Sequence, residues 1–158
     1  MRQGSPMSLE LTHEFSFWAS LKPPIDFGAG PLGARIYFEV TGGEATGERF
    51  NARAVGGGGD WIIVGPDGFG RIDVRLHFET HDNAHVYVQY FGLLELNATV
   101  AQAMATGAGT KFEDQYFRTT PRMETGDSRY AWMNQSVFAA KGRVREGGGV
   151  EYEVYRMV

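Results

Sequence analysis

Residues 70–91 read GRIDVRLHFETHDNAHVYVQYF. Two runs alternate apolar with polar residues, Gly70 to Thr80 and His85 to Phe91, and a polar break at Asp82-Asn83 separates them. Alternation with period two places successive side chains on opposite faces of a strand, and Asp and Asn both tolerate positive φ. A two-residue turn at Asp82-Asn83 therefore predicts an antiparallel hairpin. In that register His81 faces Ala84, Glu79 faces Val86, His77 faces Val88 and Arg75 faces Tyr90, while His85 lies opposite Thr80 on the other face.

The same alternation recurs on both sides of this hairpin. Strands are expected near 9–18, 34–40, 48–55, 60–64, 115–119, 130–140 and 149–157, with turns at Gly42-Gly43, Pro66-Asp67-Gly68 and Gly147-Gly148. One stretch breaks the pattern: Asn97 is an N-cap residue type, ATVAQAMAT contains good helix formers, and Gly107 supplies a stop. One short helix near 97–107 in an otherwise all-β chain points to a closed or nearly closed antiparallel β-barrel of about eight to ten strands, because closure removes exposed sheet edges. Residues 1–8 are polar and read as a flexible segment, leaving 9–158 as a single domain; 158 residues suffice for one sizeable core.

Composition excludes several chemistries. There is no cysteine, so thiol catalysis, disulfides and zinc-thiolate sites are out. A net charge of −4 without a basic run leaves no field for nucleic acid. No run reaches the ~18 apolar residues of a membrane span, and no secretory apolar segment opens the chain, so a cytoplasmic protein without membrane contact is expected.

Residues 77–85 hold three of the four histidines, with Glu79 and Asp82 between them. His77, Glu79 and His81 share a strand face, which favours a metal. Against it, alternate residues are roughly 6.6 Å apart, so His77 and His81 stand about 13 Å apart, too far for one ion. No metal site is expected here. The run Gly56–Gly59 lacks the Lys-Ser/Thr ending of a phosphate loop and leads into a strand, so it reads as a flexible turn.

Several runs in order resemble the domain-of-unknown-function 3237 family. They are Gly33-Ala34-Arg35, GGGGDW at 56–61, Pro66-Asp67-Gly68, Asp73-Val74-Arg75, Tyr116-Phe117-Arg118-Thr119, Glu124-Thr125 and Tyr130-Ala131-Trp132-Met133-Asn134. The resemblance covers about residues 9 to 157 and implies a small lipocalin-like barrel, but no chemistry. The chain departs from the family at His77, His85 and Asn83, where a glycine is usual at the last.

Function must therefore be argued from polar residues set inside apolar strands. Arg75, Arg118, Arg35, Asp60 beside Trp61, Tyr116, and the Tyr130-Trp132-Asn134 series would sit in poor solvent if they faced a barrel interior, at a cost of several kcal/mol per unpaired ion. One reading is a structural network in which Arg75 or Arg118 bridges Asp60 or Asp73. The other is a polar lumen for a small ligand, with Arg75 and Arg118 stabilising charge and Asp60 and Tyr116 moving a proton. In it Arg35, Trp61, Tyr90, Tyr130, Trp132 and Asn134 line the ligand. The expected activity is that of an isomerase, cyclase or lyase on a small carbonyl or carboxylate metabolite, with no cofactor. A small-ligand carrier or sensor and a structural homo-oligomer with a filled barrel are the alternatives.

Overall fold

The computed structural model describes residues 8–158; most of the expected flexible segment, residues 1–7, lies outside them. Nine strands are present among the described residues: β1 (Leu11–Leu21), β2 (Ile25–Gly30), β3 (Gly33–Gly47), β4 (Ala52–Val64), β5 (Phe69–Thr80), β6 (His85–Glu95), β7 (Phe117–Glu124), β8 (Phe138–Val144) and β9 (Val150–Met157). Neighbours pair antiparallel in the order β1-β9-β8-β7-β6-β5-β4-β3, and β1 pairs back onto β3. Eight strands thus close an antiparallel barrel, and β2 is an additional strand on β3.

Helix α1 (Ala98–Thr106) falls where Asn97 and Gly107 predict it. The Asn97 side chain accepts from the Val100 N–H, and Gly107 adopts φ 77°. The expected strand over 130–140 is corrected: residues 128–130 form a 3₁₀ turn, α2 (Ala131–Asn134) follows, and only Phe138–Val144 is strand. Asp127 explains the start, because its carboxylate accepts from the Arg129 N–H and caps the turn.

The glycine run is not a turn. β4 continues through Gly56–Gly59 as an irregular strand whose register shifts between Val55 and Gly59 against β5. Packing accounts for the residue type: a Cβ on Gly58 would stand 2.5 Å from the Arg75 carbonyl oxygen, and one on Gly59 would stand 2.3 Å from the Tyr37 ring.

The β5–β6 hairpin forms, but with a three-residue loop. Thr80 and Ala84 close it, Asn83 takes φ 69°, and the Ala84 N–H donates to Thr80 Oγ1 at 2.8 Å. The register therefore differs by one residue from the expected one: Glu79 faces His85, His77 faces Tyr87 and Arg75 faces Gln89. A shift of one exchanges faces, so Tyr90 pairs with Val74 and points away from the Arg75 side.

Phe15, Phe17, Phe50, Phe78, Phe138 and Met133 fill the end of the barrel near this hairpin. Their rings pack edge-on, with Phe17 and Phe78 centroids 4.9 Å apart and Phe50 and Phe78 5.5 Å apart. Glu14 is buried at the barrel wall but held by Arg49 at 2.8 and 3.0 Å and by Arg156 at 3.0 Å. The Arg49 hydrogen bond chiefly lowers its pKa, against the opposing effect of burial.

Candidate functional site

The other end of the barrel is hollow. A cavity of about 410 Å³ opens beside α1, the Gly148-Gly149 turn and the segment following β1. Its walls are apolar side chains from alternate positions, among them Ile36, Phe38, Ile62, Ile72, Val74 and Leu94. Tyr90 and Tyr152 form the boundary with the filled half: Tyr152 stacks on Phe17 at 5.9 Å, and Tyr90 donates to the Tyr152 hydroxyl at 3.2 Å. Burial raises both phenol pKa values, keeping the pair neutral.

Asp60 is the sole carboxylate among the described residues lining this cavity. It lies on β4, opposite Phe38 on β3 and Val74 on β5. Its Oδ1 accepts the Asp73 backbone N–H at 3.1 Å, and Oδ2 has no hydrogen-bond partner among the described residues. Burial pushes its pKa up to about 7; the Asp73 N–H opposes that rise and the Asp73 charge adds to it. The group can therefore give or accept a proton near neutrality. Lys22 stands at the cavity mouth, paired with Glu39 at 2.5 Å.

Of the residues expected to converge, Asp60 and Tyr90 do. The expectation of an arginine-lined lumen is corrected. On β5 the inward positions go to Ile72, Val74, Leu76 and Phe78, so Arg75 points out. On β7 Phe117 and Thr119 point in, and Arg118 points out over the exposed Tyr116 ring at 5.3 Å. Arg35 donates to the Trp61 carbonyl at 2.8 Å, and Trp61 lies outside, 4.8 Å from the Tyr37 ring. Burying hydrocarbon rather than guanidinium is the cheaper choice at each alternation.

Tyr130, Trp132 and Asn134 belong to the opposite end. Tyr130 donates to Asp82 at 2.7 Å, Trp132 lies under Arg49 at 3.6 Å, and Asn134 makes two 2.8 Å bonds with the Thr125 backbone. The histidines do not converge either. His85 lies beside Glu79 at 3.8 Å rather than on the opposite face, and His81 in the loop contacts the Asn51 carbonyl. Tyr152 was missed; its signal was a hydroxyl in the buried phase of the Val150-Tyr152-Val154 alternation.

A closed antiparallel barrel with one end packed and the other hollow defines the class. The chain belongs to the family described as Protein of unknown function (DUF3237), which it matches over residues 9–157. A UPF0311 protein of Rhodopseudomonas palustris strain TIE-1 is 28% identical over 151 residues, covering 96% of this chain and 98% of the relative. The crystal structure of a conserved protein of unknown function from the same species has a TM-score of 0.86 at 27% identity, covering 98% of this chain and all (100%) of that one. A β-barrel-like protein from Acinetobacter baumannii AYE has a TM-score of 0.82 at 30% identity, covering 99% and 100% of the two chains. An enzyme from Penicillium herquei shares the fold at 16% identity, with a TM-score of 0.73 and 99% and 100% covered. No helix among the described residues is long and apolar enough to cross a membrane.

Proposed function

We propose that the barrel binds a small, largely apolar, uncharged molecule in its open end and that Asp60 transfers a proton to or from it. The observation that carries this reading is the free Asp60 oxygen in an otherwise apolar cavity, on a carboxyl whose pKa lies at about 7. A carboxylate ligand suits this pocket less than a neutral carbonyl compound, because an ionised Asp60 would repel it and no arginine lines it among the described residues. Reaction classes that need only such a transfer are isomerisation, cyclisation and elimination at a position next to a carbonyl. Tyr90 and Tyr152 close the floor, and aliphatic side chains form most of the remaining wall.

The apolar walls also favour a second reading, a carrier that binds such molecules without changing them. Hydrogen–deuterium exchange separates the two. Ring-sized ketones are incubated with protein in deuterium oxide, and binding of the neutral fluorophore N-phenyl-1-naphthylamine reports the cavity. Proton transfer predicts exchange that Asp60→Asn slows by about 100-fold or more while the fluorophore still binds. Fluorophore binding without exchange in either protein supports the carrier.

A further inference from the structure

Two tyrosines from separated strands meet inside the barrel. Tyr90 on β6 and Tyr152 on β9, with β7 and β8 between them, are both buried, and their hydroxyls stand 3.2 Å apart beside the cavity that both residues line. Burial keeps both phenols protonated. Two hydroxyl protons thus serve one hydrogen bond. Tyr90 donates to Tyr152, which leaves the Tyr152 proton without an acceptor among the described residues. A buried donor without an acceptor is costly, and a ligand oxygen at the cavity floor relieves that cost.

The Tyr152 hydroxyl is held in place by its surroundings. Its ring stacks on Phe17 at 5.9 Å and packs edge-on with Tyr90 and Phe117 at 5.4 and 5.3 Å. Gly142, its partner on β8, makes room for it, because a Cβ there would stand 2.9 Å from Tyr152 Cε1. Asp60 lies at the same level of the barrel. It pairs with Val74 on β5, and Val74 pairs with Tyr90 on β6, which sets the Asp60 and Tyr90 backbones about 10 Å apart at ~4.8 Å per strand. Besides Lys22 at the mouth, Asp60, Tyr90 and Tyr152 are the polar side chains among the described residues lining the cavity.

We propose that the Tyr152 hydroxyl is the carbonyl-binding group of this cavity: it donates to the oxygen of a neutral ketone whose adjacent carbon faces Asp60. Tyr90 donates into Tyr152 and so strengthens the bond that Tyr152 makes. The ligand class is a ketone with hydrogen on the carbon next to the carbonyl, carried on an apolar ring or chain. In the reaction that C–H bond breaks and its proton passes to Asp60 Oδ2. The electron pair left behind forms a C=C bond, and the carbonyl π pair moves onto oxygen, where the Tyr152 O–H stabilises it. Return of the proton to carbon restores a neutral ketone without oxidant or reductant. The reaction rests on the proton-transfer reading; the carbonyl contact does not.

1-Tetralone, isotope-labelled at its carbonyl carbon so that its infrared band stands apart from the protein's, tests contact and reaction separately. It should displace N-phenyl-1-naphthylamine from the unsubstituted protein and show a carbonyl band at lower frequency than in Tyr152→Phe, which keeps the ring and lacks the hydroxyl. Comparison with the band in hexane gives the same reading without any variant. Tyr152→Phe should bind 1-tetralone about tenfold more weakly and exchange the hydrogens next to its carbonyl about 100-fold more slowly in deuterium oxide. Tyr90→Phe breaks the same Tyr90–Tyr152 bond but leaves the Tyr152 donor, so its bound carbonyl band should stay low. A band unmoved by Tyr152→Phe, or raised equally by both variants, overturns the proposal and leaves the tyrosines a structural pair. Failure of 1-tetralone to displace the fluorophore overturns it as well. A lowered band in a protein that exchanges no hydrogen overturns the proton-transfer reading instead and leaves the Tyr152 contact standing.

Discussion

At Asp60 the pKa of about 7, against 3.8 for the free carboxyl, makes folding stability depend on pH with a definite sign. Below pH 3.8 both folded and unfolded states hold the proton and the group contributes nothing. Between 3.8 and 7 the unfolded chain releases its proton while the folded chain keeps it, so stability falls as pH rises. Above 7 the full cost is present, on the order of 4 kcal/mol. Asp60→Asn keeps an oxygen for the Asp73 N–H and removes that charge. It should gain a few kcal/mol at pH 8 and almost nothing at pH 3.5 in denaturant unfolding; an equal gain at both would mean that burial of charge is not the cause. Asp60 was legible in the sequence as a carboxylate next to Trp61 in a strand. Its partner was not: the Asp73 N–H reaches it only because two strands meet at that register.

At the scale of the element, alternation divided β5 into two faces but did not say which is inward: the expectation put Arg75 in the lumen, whereas Ile72, Val74, Leu76 and Phe78 are the buried set. It misled where a loop decided register. Thr80 captures the Ala84 N–H and lengthens the hairpin loop by one residue, and that single shift moved Tyr90 away from Arg75. The glycine run shows the same limit, since absence of a side chain reads equally as flexibility or as close packing. Packing is the answer at Gly58, where a Cβ would also meet Leu76 Cβ at 2.8 Å. Gly58→Ala should therefore destabilise by about 1–3 kcal/mol, read as a lowered midpoint in urea. A flexible turn would tolerate the change.

For the whole molecule, closure of β1 onto β3 leaves one end packed with aromatic rings and the other hollow. Added volume should be absorbed at the hollow end. Ile72→Phe is expected to lower N-phenyl-1-naphthylamine affinity at least tenfold with a stability change within about 1.5 kcal/mol, because the new ring enters space that is already open. A large loss of stability with affinity unchanged would show that Ile72 packs against solid core.

The amino-acid sequence alone determined the all-β class, the helix between Asn97 and Gly107, the family, and the presence of an acid in a strand beside Trp61. These follow from local periodicity, capping and residue chemistry, which act within a few neighbouring residues. Only the tertiary structure decided which face of each strand is the lumen, that the arginines lie outside it, and that Asp60 and Tyr90 meet Tyr152 at one cavity. Those outcomes depend on inter-strand register and barrel closure, where the free energy of burying hydrocarbon is summed over the whole wall.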